Sequence, residues 1–421
     1  MRKFLFGSAF VLLPLLATAQ VVDRDRAPVT PLADLIALID TTNPELAAAR
    51  HETDASIARI GPAGAPPDPT VSAGYMSGFL RPPFYPSSNT PDGLWQFGVT
   101  QEIPYPGKLA AKTAVASTIA QRDRLSVELK RVELVAALKT AYAGLALAER
   151  SLEILEGTRS VLDQARSHAE ARFRVGRGPQ QDVLRAQLEM STLLERNAML
   201  RRDRVTALAA VNAVLGRAPD TALTTAPLVV DASPALAELR RLANEANPRA
   251  RRDDQQIVAG QAALTVARKE ILPDFGVNVT TQKKVAGMPW MYGVELMASV
   301  PVFRDRKQRP MVAEAMAMLG AARAMREATR VQADAELAAA SADAAAAREL
   351  MTLYSDSILP QARLAVEASI ASYQTGAVDF LTLLANITSV LTYDLASEQQ
   401  RAEYVRALAR IEPLTGLSLI R

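Results

Sequence analysis

The sequence predicts a mainly α protein with a small β part. Long helices form a coiled-coil wall, and four strands per chain contribute to a transmembrane β-barrel that several copies must close. Three observations carry this. The chain repeats itself at a period near 200 residues. Each half holds a very long stretch without helix breakers. Each half also holds two segments of about ten residues in which apolar and polar residues alternate, the length of a tilted membrane strand.

Composition narrows the function classes. The 421 residues carry 48 Lys+Arg against 45 Asp+Glu, a formal charge of +3. Without Arg2 and Lys3 that becomes +1 (3 minus 2), so the charge gives no argument for nucleic acid. There is no Cys, which excludes disulfides, Cys metal ligands and a Cys-linked lipid. Two His make a His-based metal or catalytic site a poor expectation, and no cofactor is expected. Aromatics are 5% of the chain while Ala recurs in runs, which favours close-packed helices over a large globular core. The sequence lacks G-x-S-x-G, P-loop and HExxH patterns, so an enzyme is not expected.

The chain opens "MRKFLFGSAFVLLPLLATAQ". A basic start, a short apolar run from Phe4 to Leu16 and the small residues Ala17-Thr18-Ala19 read as a signal peptide over 1–19. A retained anchor is the alternative, disfavoured by the shortness of the run. No later segment is expected to offer a long uncharged apolar run, so insertion into a bilayer must use strands.

The halves run 20–230 and 231–421. "NPELAAARHETDASIARI" from Asn43 resembles "NPRARRDDQQIVAGQAAL" from Asn247. Pro67-Asp68 corresponds to Pro273-Asp274, "LWQFGVTQEIP" to "MYGVELMASVP", and Leu215-Gly216 to Thr415-Gly416. Strands are expected at about 70–79, 94–103, 275–282 and 290–300. Trp95, Phe97, Val99 and Ile103 share one face of the second strand, with Gln96, Thr100 and Glu102 on the other. Tyr292, Val294, Leu296, Ala298 and Val300 share a face of the fourth. One lipid face and one watery face fit a barrel wall, and Tyr75, Phe84, Tyr85, Trp95, Trp290 and Tyr292 stand where an aromatic girdle would be. Two soluble hairpins on a globular core are the alternative. Four strands leave open edges, which lipid does not tolerate, so several copies must close the ring.

Long helices are expected at about 107–175 and 181–215, then 306–375 and 379–411. In the first, Leu125, Leu129, Val132, Val135, Leu138, Tyr142, Leu145, Leu152 and Leu155 form a coiled-coil-like seam. Pro360 should kink the third. Strand passes to helix at "QEIPYPGKL". Pro104 and Pro106 end a ladder and suit a helix start, Gly107 redirects the backbone, and Pro301 can do the first part of this in the second half.

The junction "QEIPYPGKL", the paired Pro-Asp strand starts and the helical turns "FRVGRGPQQDVLRAQ" and "YQTGAVDFLTLL", in doubled order, resemble the TolC family of outer-membrane efflux proteins across nearly the whole mature chain. The resemblance implies a homotrimer in the outer membrane of a Gram-negative bacterium, with a twelve-stranded barrel in lipid and a twelve-helix periplasmic tube. It implies a periplasmic adaptor and an inner-membrane transporter, of the resistance-nodulation-division type, as partners, and a passive duct without chemistry. The turn "GAVDFLTLL" and the "PGKL" junction look most like members that accompany heavy-metal efflux pumps. A soluble periplasmic coiled-coil scaffold or adaptor is the rival reading, which alternating, aromatic-edged strands do not require.

Val175-Gly176-Arg177-Gly178 and Thr375-Gly376-Ala377 are helix-ending turns on local chemistry alone, with Gly capping one helix and Asp the next. By resemblance they form the periplasmic tip where the adaptor docks. Acidic residues after the turns narrow the entrance in the family, and Asp182 and Asp379 are the matching candidates. Asp379 lies three positions after Gly376 against six for Asp182 after Gly176, and Thr382 stands where a second acidic residue would be sought. Gate and plain N-cap both remain open for Asp379. Met288, Met291 and Met297 admit a soft-metal reading but are expected to be wall or loop residues.

Overall fold

The computed structural model describes residues 29–77, 93–284 and 289–420. The signal segment 1–19, the strand residues 78–79, and Phe84, Tyr85 and Met288 lie outside these. In chain order the elements are β1 (Val29–Thr30), α1 (Leu32–Thr42), α2 (Pro44–Ala58), α3 (Ile60–Gly64), β2 (Thr70–Ser77) and β3 (Gly93–Ile103). Then come α4 (Lys108–Arg174), α5 (Gln180–Val214), β4 (Thr224–Thr225), α6 (Leu236–Ala246) and α7 (Pro248–Lys269). The rest are β5 (Asp274–Lys284), β6 (Met291–Ser299), α8 (Gln308–Leu353), α9 (Leu359–Thr375) and α10 (Phe380–Thr415).

The Asn-Pro pairs start helices in both halves. The Asn43 side chain accepts from the Leu46 amide at 2.9 Å, and Asn247 from the Arg249 amide at 2.9 Å, each with proline at the first helical position. α4 runs 67 residues without a break, on the order of 100 Å at 1.5 Å per residue. Of the expected seam, Leu129, Leu138, Tyr142, Leu145 and Leu155 are buried, while Leu125, Val132, Val135 and Leu152 are half-buried.

Two apolar clusters hold the helices. The larger joins α1, the middle of α4, the end of α5, α8 and the end of α10 through Leu35, Leu138, Tyr142, Leu215, Leu337, Leu408 and Ile411. Inside it, Lys139 Nζ lies 2.6 Å from Glu412 Oε2, with the two side chains 3% and 6% exposed. The other Glu412 oxygen accepts from the amides of Leu419 and Ile420 at 2.6 and 2.9 Å, folding the chain end back onto the core. The smaller cluster, with Leu162, Leu193, Tyr373, Phe380, Leu383 and Ile387, lies toward the turns at the far end of α4.

The sheet order is β2-β3-β5-β6, antiparallel throughout. The helices nearest it follow the same order: α2 packs on α4, α4 on α7, and α7 on α8. Toward the turns, α5 packs on α4, α4 on α10, and α10 on α9. Both layers therefore end at the same two sides, α2, β2 and α5 on one and β6, α8 and α9 on the other.

Three expectations are corrected. The stretch 306–375 is not one helix: it starts at Gln308 and passes through a π turn at Tyr354–Ile358 before α9. Pro360 has no N–H and would press on the carbonyl four residues back, and the wider turn before it absorbs both. The last helix continues past 411 to Thr415, with Pro413 inside it. The expectation that no later segment is long and uncharged also fails. From Phe380 to Ala396 the only charge is Asp394, and α10 is long and apolar enough to cross a membrane by length and composition. Packing accounts for part of this composition: α10 lies against α4, α8 and α9, so Leu383, Leu384, Ile387 and Leu391 face protein, while Leu381 is exposed.

Candidate functional site: strand wall, junction and helical tips

Strand register sorts the side chains into two faces. One carries the rows Val71–Val99–Val279–Val294, Ala73–Phe97–Thr281–Tyr292 and Ile103–Phe275–Ala298. Phe97, Val99, Phe275, Val279, Tyr292, Val294 and Leu296 are all exposed there. The opposite face carries Thr70–Thr100–Asn278–Glu295, tied by Thr100 Oγ1 to Asn278 Oδ1 at 3.2 Å and by Asn278 Nδ2 to Glu295 Oε2 at 3.3 Å. Met291 and Met297 lie on this polar face, in register with Gln282 and Gly276. A Cβ at Gly98 or Gly293, also on it, would come within 2.8 Å of Ser72 Oγ or 2.9 Å of Thr280 Oγ1. Small residues suit the concave side of a curved sheet, where side chains converge. A largely apolar, mostly exposed face opposite a polar one is what a barrel wall needs between lipid and water.

Junction residues do more than turn the chain. β3 ends at Ile103, Pro104 and Pro106 follow, and Gly107 takes φ 85° one residue before α4 begins. A Cβ there would meet Lys269 Nζ at 2.6 Å. The Tyr105 amide donates to Asp274 Oδ1 at 2.8 Å. Lys108, 2% exposed, reaches Asp274 Oδ2 at 2.8 Å, Glu270 Oε2 at 3.5 Å and the Leu272 carbonyl at 2.9 Å. Lys108 and Asp274 thus bolt the start of α4 to the start of β5. Both stand inside quoted motifs, "PGKL" and Pro273-Asp274, yet nothing local marks them as partners. In the second half β6 ends at Ser299 just before Pro301, and a run of turns, 302–307, separates it from α8.

At the far end, both long hairpins close with the same geometry. Gly176 has φ 70°, its amide donates to the Phe173 carbonyl at 2.9 Å, and the Arg177 amide donates to Arg172 at 2.9 Å. Gly376 has φ 84°, with amides of Gly376 and Ala377 donating to Tyr373 at 3.1 Å and Ser372 at 2.9 Å. This is the Schellman end, in which a left-handed glycine satisfies the last carbonyls of the helix. Val175, Gly176, Arg177, Thr375, Gly376 and Ala377 are exposed, and a Cβ at Gly178 would come within 3.2 Å of Arg172 Cβ.

The tips are joined across the two hairpins. Arg172 donates to the Tyr373 carbonyl and lies over the Tyr373 ring, 4.7 Å from its centroid. Tyr373 Oη donates to Asp182 Oδ2 at 3.1 Å, and burial together with that carboxylate pushes the phenol up to about 12. Asp182 therefore faces the neighbouring hairpin. Asp379 caps α10 by accepting from the Thr382 amide at 3.0 Å. Hydrogen bonding from Thr382 holds it below the usual carboxylate range, with attraction to Arg185 adding to this, so it stays ionised at neutral pH. Asp182 and Asp379 are not in contact with each other in the hydrogen bonds that hold them.

Residues 35–217 match the family model for outer membrane efflux proteins. No curated protein matches the sequence at a significant level. Over more than nine-tenths of the chain the fold resembles several solved channels. VceC from Vibrio cholerae superposes with TM-score 0.77 at 18% identity, over 92% of this chain and 96% of that one. CusC does so with TM-score 0.78 at 15% identity, over 93% of each chain. The outer membrane channel MtrE of Neisseria gonorrhoeae gives 0.76 at 16% identity, over 92% of this chain and 89% of that one. The first part of this chain thus carries the sequence signature of outer membrane efflux proteins, and nearly its whole length has the fold of their channels.

Proposed function

We propose that this chain is the outer-membrane duct of a three-part exporter, a homotrimer that passes solutes without chemistry of its own. The observation that carries the reading is the pair of open sides. β2 and β6 are unpaired edges, and the helices flanking them leave apolar side chains uncovered. Leu188 and Val205 of α5, Leu364 of α9, and Met318 and Met325 of α8 are each more than 60% exposed. These helices flank the open strand edges, so a rotated copy that pairs the edges also brings its own helices against them. Three copies, giving three times four strands, reproduce the twelve-stranded barrel of the resemblance. The two-repeat division at 20–230 and 231–421 belongs to the same reading, supported by the left-handed glycines 176 and 376, and 216 and 416, each pair 200 residues apart.

In this reading the apolar sheet face meets outer-membrane lipid and the helices cross the periplasm. The turns at Gly176 and Gly376 meet a periplasmic adaptor, itself bound to an inner-membrane pump of the resistance-nodulation-division type. Asp379, repeated three times about the axis, gives the entrance its charge. Heavy-metal cations are the narrower cargo reading, supported by the likeness of "GAVDFLTLL" and "PGKL" to the family members of such pumps. Reconstitution in a planar bilayer tests the duct itself. Discrete single-channel steps are expected from the purified protein, and a protein that stays soluble without detergent and carries no current would favour the scaffold reading.

A further inference from the structure

We propose that Lys283, with the aromatic rings around it, binds the phosphate of a lipid headgroup in the leaflet farther from the helices. The inference rests on the reading of the sheet as a membrane wall. β5 starts beside α7 at Asp274 and ends at Lys284, so Lys283 stands at the end of the sheet remote from the helices. Eight residues separate it from Phe275. That is ~26 Å along a strand, or ~20 Å of height at a tilt of ~40°, close to the ~25 Å apolar band of a barrel.

Register places Lys283 beside Trp95, and Trp95 beside Tyr75, on the face that carries Val99, Val279 and Val294. Its Nζ lies 5.1 Å from the centroid of Trp290, and the rings of Tyr75 and Trp95 are 5.1 Å apart. Among the described residues of the four strands, Lys283 is the only charged side chain on this face. It is exposed, and among the described residues no carboxylate lies within ion-pair distance of it. An ammonium facing hydrocarbon is costly, and the cost falls away only at headgroup depth, where phosphate oxygens can receive it. Indole N–H and phenol O–H groups at that depth supply further donors to the same phosphate. Charge complementarity thus selects the occupant. Lys284, the next residue, points to the polar face beside Leu94 and gives a control of identical charge.

The test uses the full-length protein in phosphatidylcholine vesicles containing lipid A, re-extracted in mild detergent and weighed by native mass spectrometry. Wild type and Lys284→Gln should carry lipid A adducts, and Lys283→Gln about five-fold fewer, since a basic residue near an anionic surface contributes ~1 kcal/mol. Lipid A stripped of its phosphates should leave wild type without adducts. Equal retention by Lys283→Gln, equal loss in Lys284→Gln, or equal binding of the phosphate-free lipid would each overturn the site while leaving the membrane wall intact. A wild type that does not enter the vesicles would overturn the wall and the site together.

Discussion

Tyr373 and Asp182 stand 191 positions apart in sequence, yet the phenol of one donates to the carboxylate of the other at 3.1 Å and ties the two helical hairpins together at their tips. The tie is made once within each chain, beside the turns on which docking is proposed. Its chemistry makes the tip separable from the rest of the wall.

Tyr373→Phe should loosen the tips alone. Phe keeps the ring packing on Phe380, 5.2 Å away, and loses only the hydroxyl. About 1.5 kcal/mol is at stake for a hydrogen bond to a charged group, or roughly ten-fold faster amide exchange at the tips. Exchange should be unchanged around Leu408 and Ile411. The pH dependence has a defined sign. The phenol's folded value, about 12, lies above its ordinary 10.0, so the tie is fully present below pH 10 and is lost as pH rises through 12. Ultraviolet titration should show Tyr373 ionising late and moving earlier in Asp182→Asn, while Tyr142, raised by its own burial, stays late in both proteins.

The glycines of the turns differ in what surrounds them. At Gly176, with φ 70°, an added Cβ meets nothing within 4 Å, so Gly176→Ala should cost only the left-handed backbone, about 1–2 kcal/mol. At Gly216, with φ 65°, the same atom would lie 2.7 Å from the Thr42 carbonyl, so Gly216→Ala should cost distinctly more in chemical denaturation. Gly176→Val and Gly376→Val should weaken adaptor crosslinking while barrel insertion continues. Undiminished crosslinking and transport in both would remove docking from the turns.

Burial of the Lys139–Glu412 pair predicts an asymmetric double-mutant cycle. Glu412→Gln leaves the Lys139 ammonium buried without its partner and should cost about 3–5 kcal/mol. Gln still offers an oxygen to the Leu419 and Ile420 amides, so Lys139→Met added to it should recover most of the loss. Denaturant midpoints of the four proteins measure this, and an unrecovered double variant would show that the amide contacts, not the charge, dominate.

Much of this architecture was legible in the sequence because alternating strands and helix ends write local signals. Alternation at Trp95, Phe97 and Val99 predicts the apolar face, since successive strand residues point to opposite sides of a sheet. "VGRG" and "TGAV" mark helix ends because a left-handed residue favours glycine. The ties between hairpins were not legible. Lys108 with Asp274, Lys139 with Glu412, and Tyr373 with Asp182 are each more than 160 positions apart, and such pairing leaves no period. Pro360 marked where the helix yields but not its form, because a kink and a π turn answer the same missing N–H.

Asp379 already serves as an N-cap, and the gate role makes an additional claim that charge can isolate. Asp379→Asn preserves the cap to the Thr382 amide and removes the charge. In a trimer, three close carboxylates favour cations, so the reversal potential across a salt gradient should shift toward weaker cation preference and divalent block should lessen. Because the carboxyl is held below its ordinary 3.8, the preference should persist in mild acid and fade only as pH falls below that value. Unchanged selectivity and block in a normally assembled Asn variant would leave the cap and remove the gate.

Closure by copies is the claim on which the duct depends, and the mass of the detergent-extracted, membrane-inserted protein tests it most directly. Light scattering with the detergent contribution subtracted should give three times the mass of one processed chain, because β2 and β6 cannot both remain open in lipid. A stable, fully inserted species with the mass of a single chain would contradict the account.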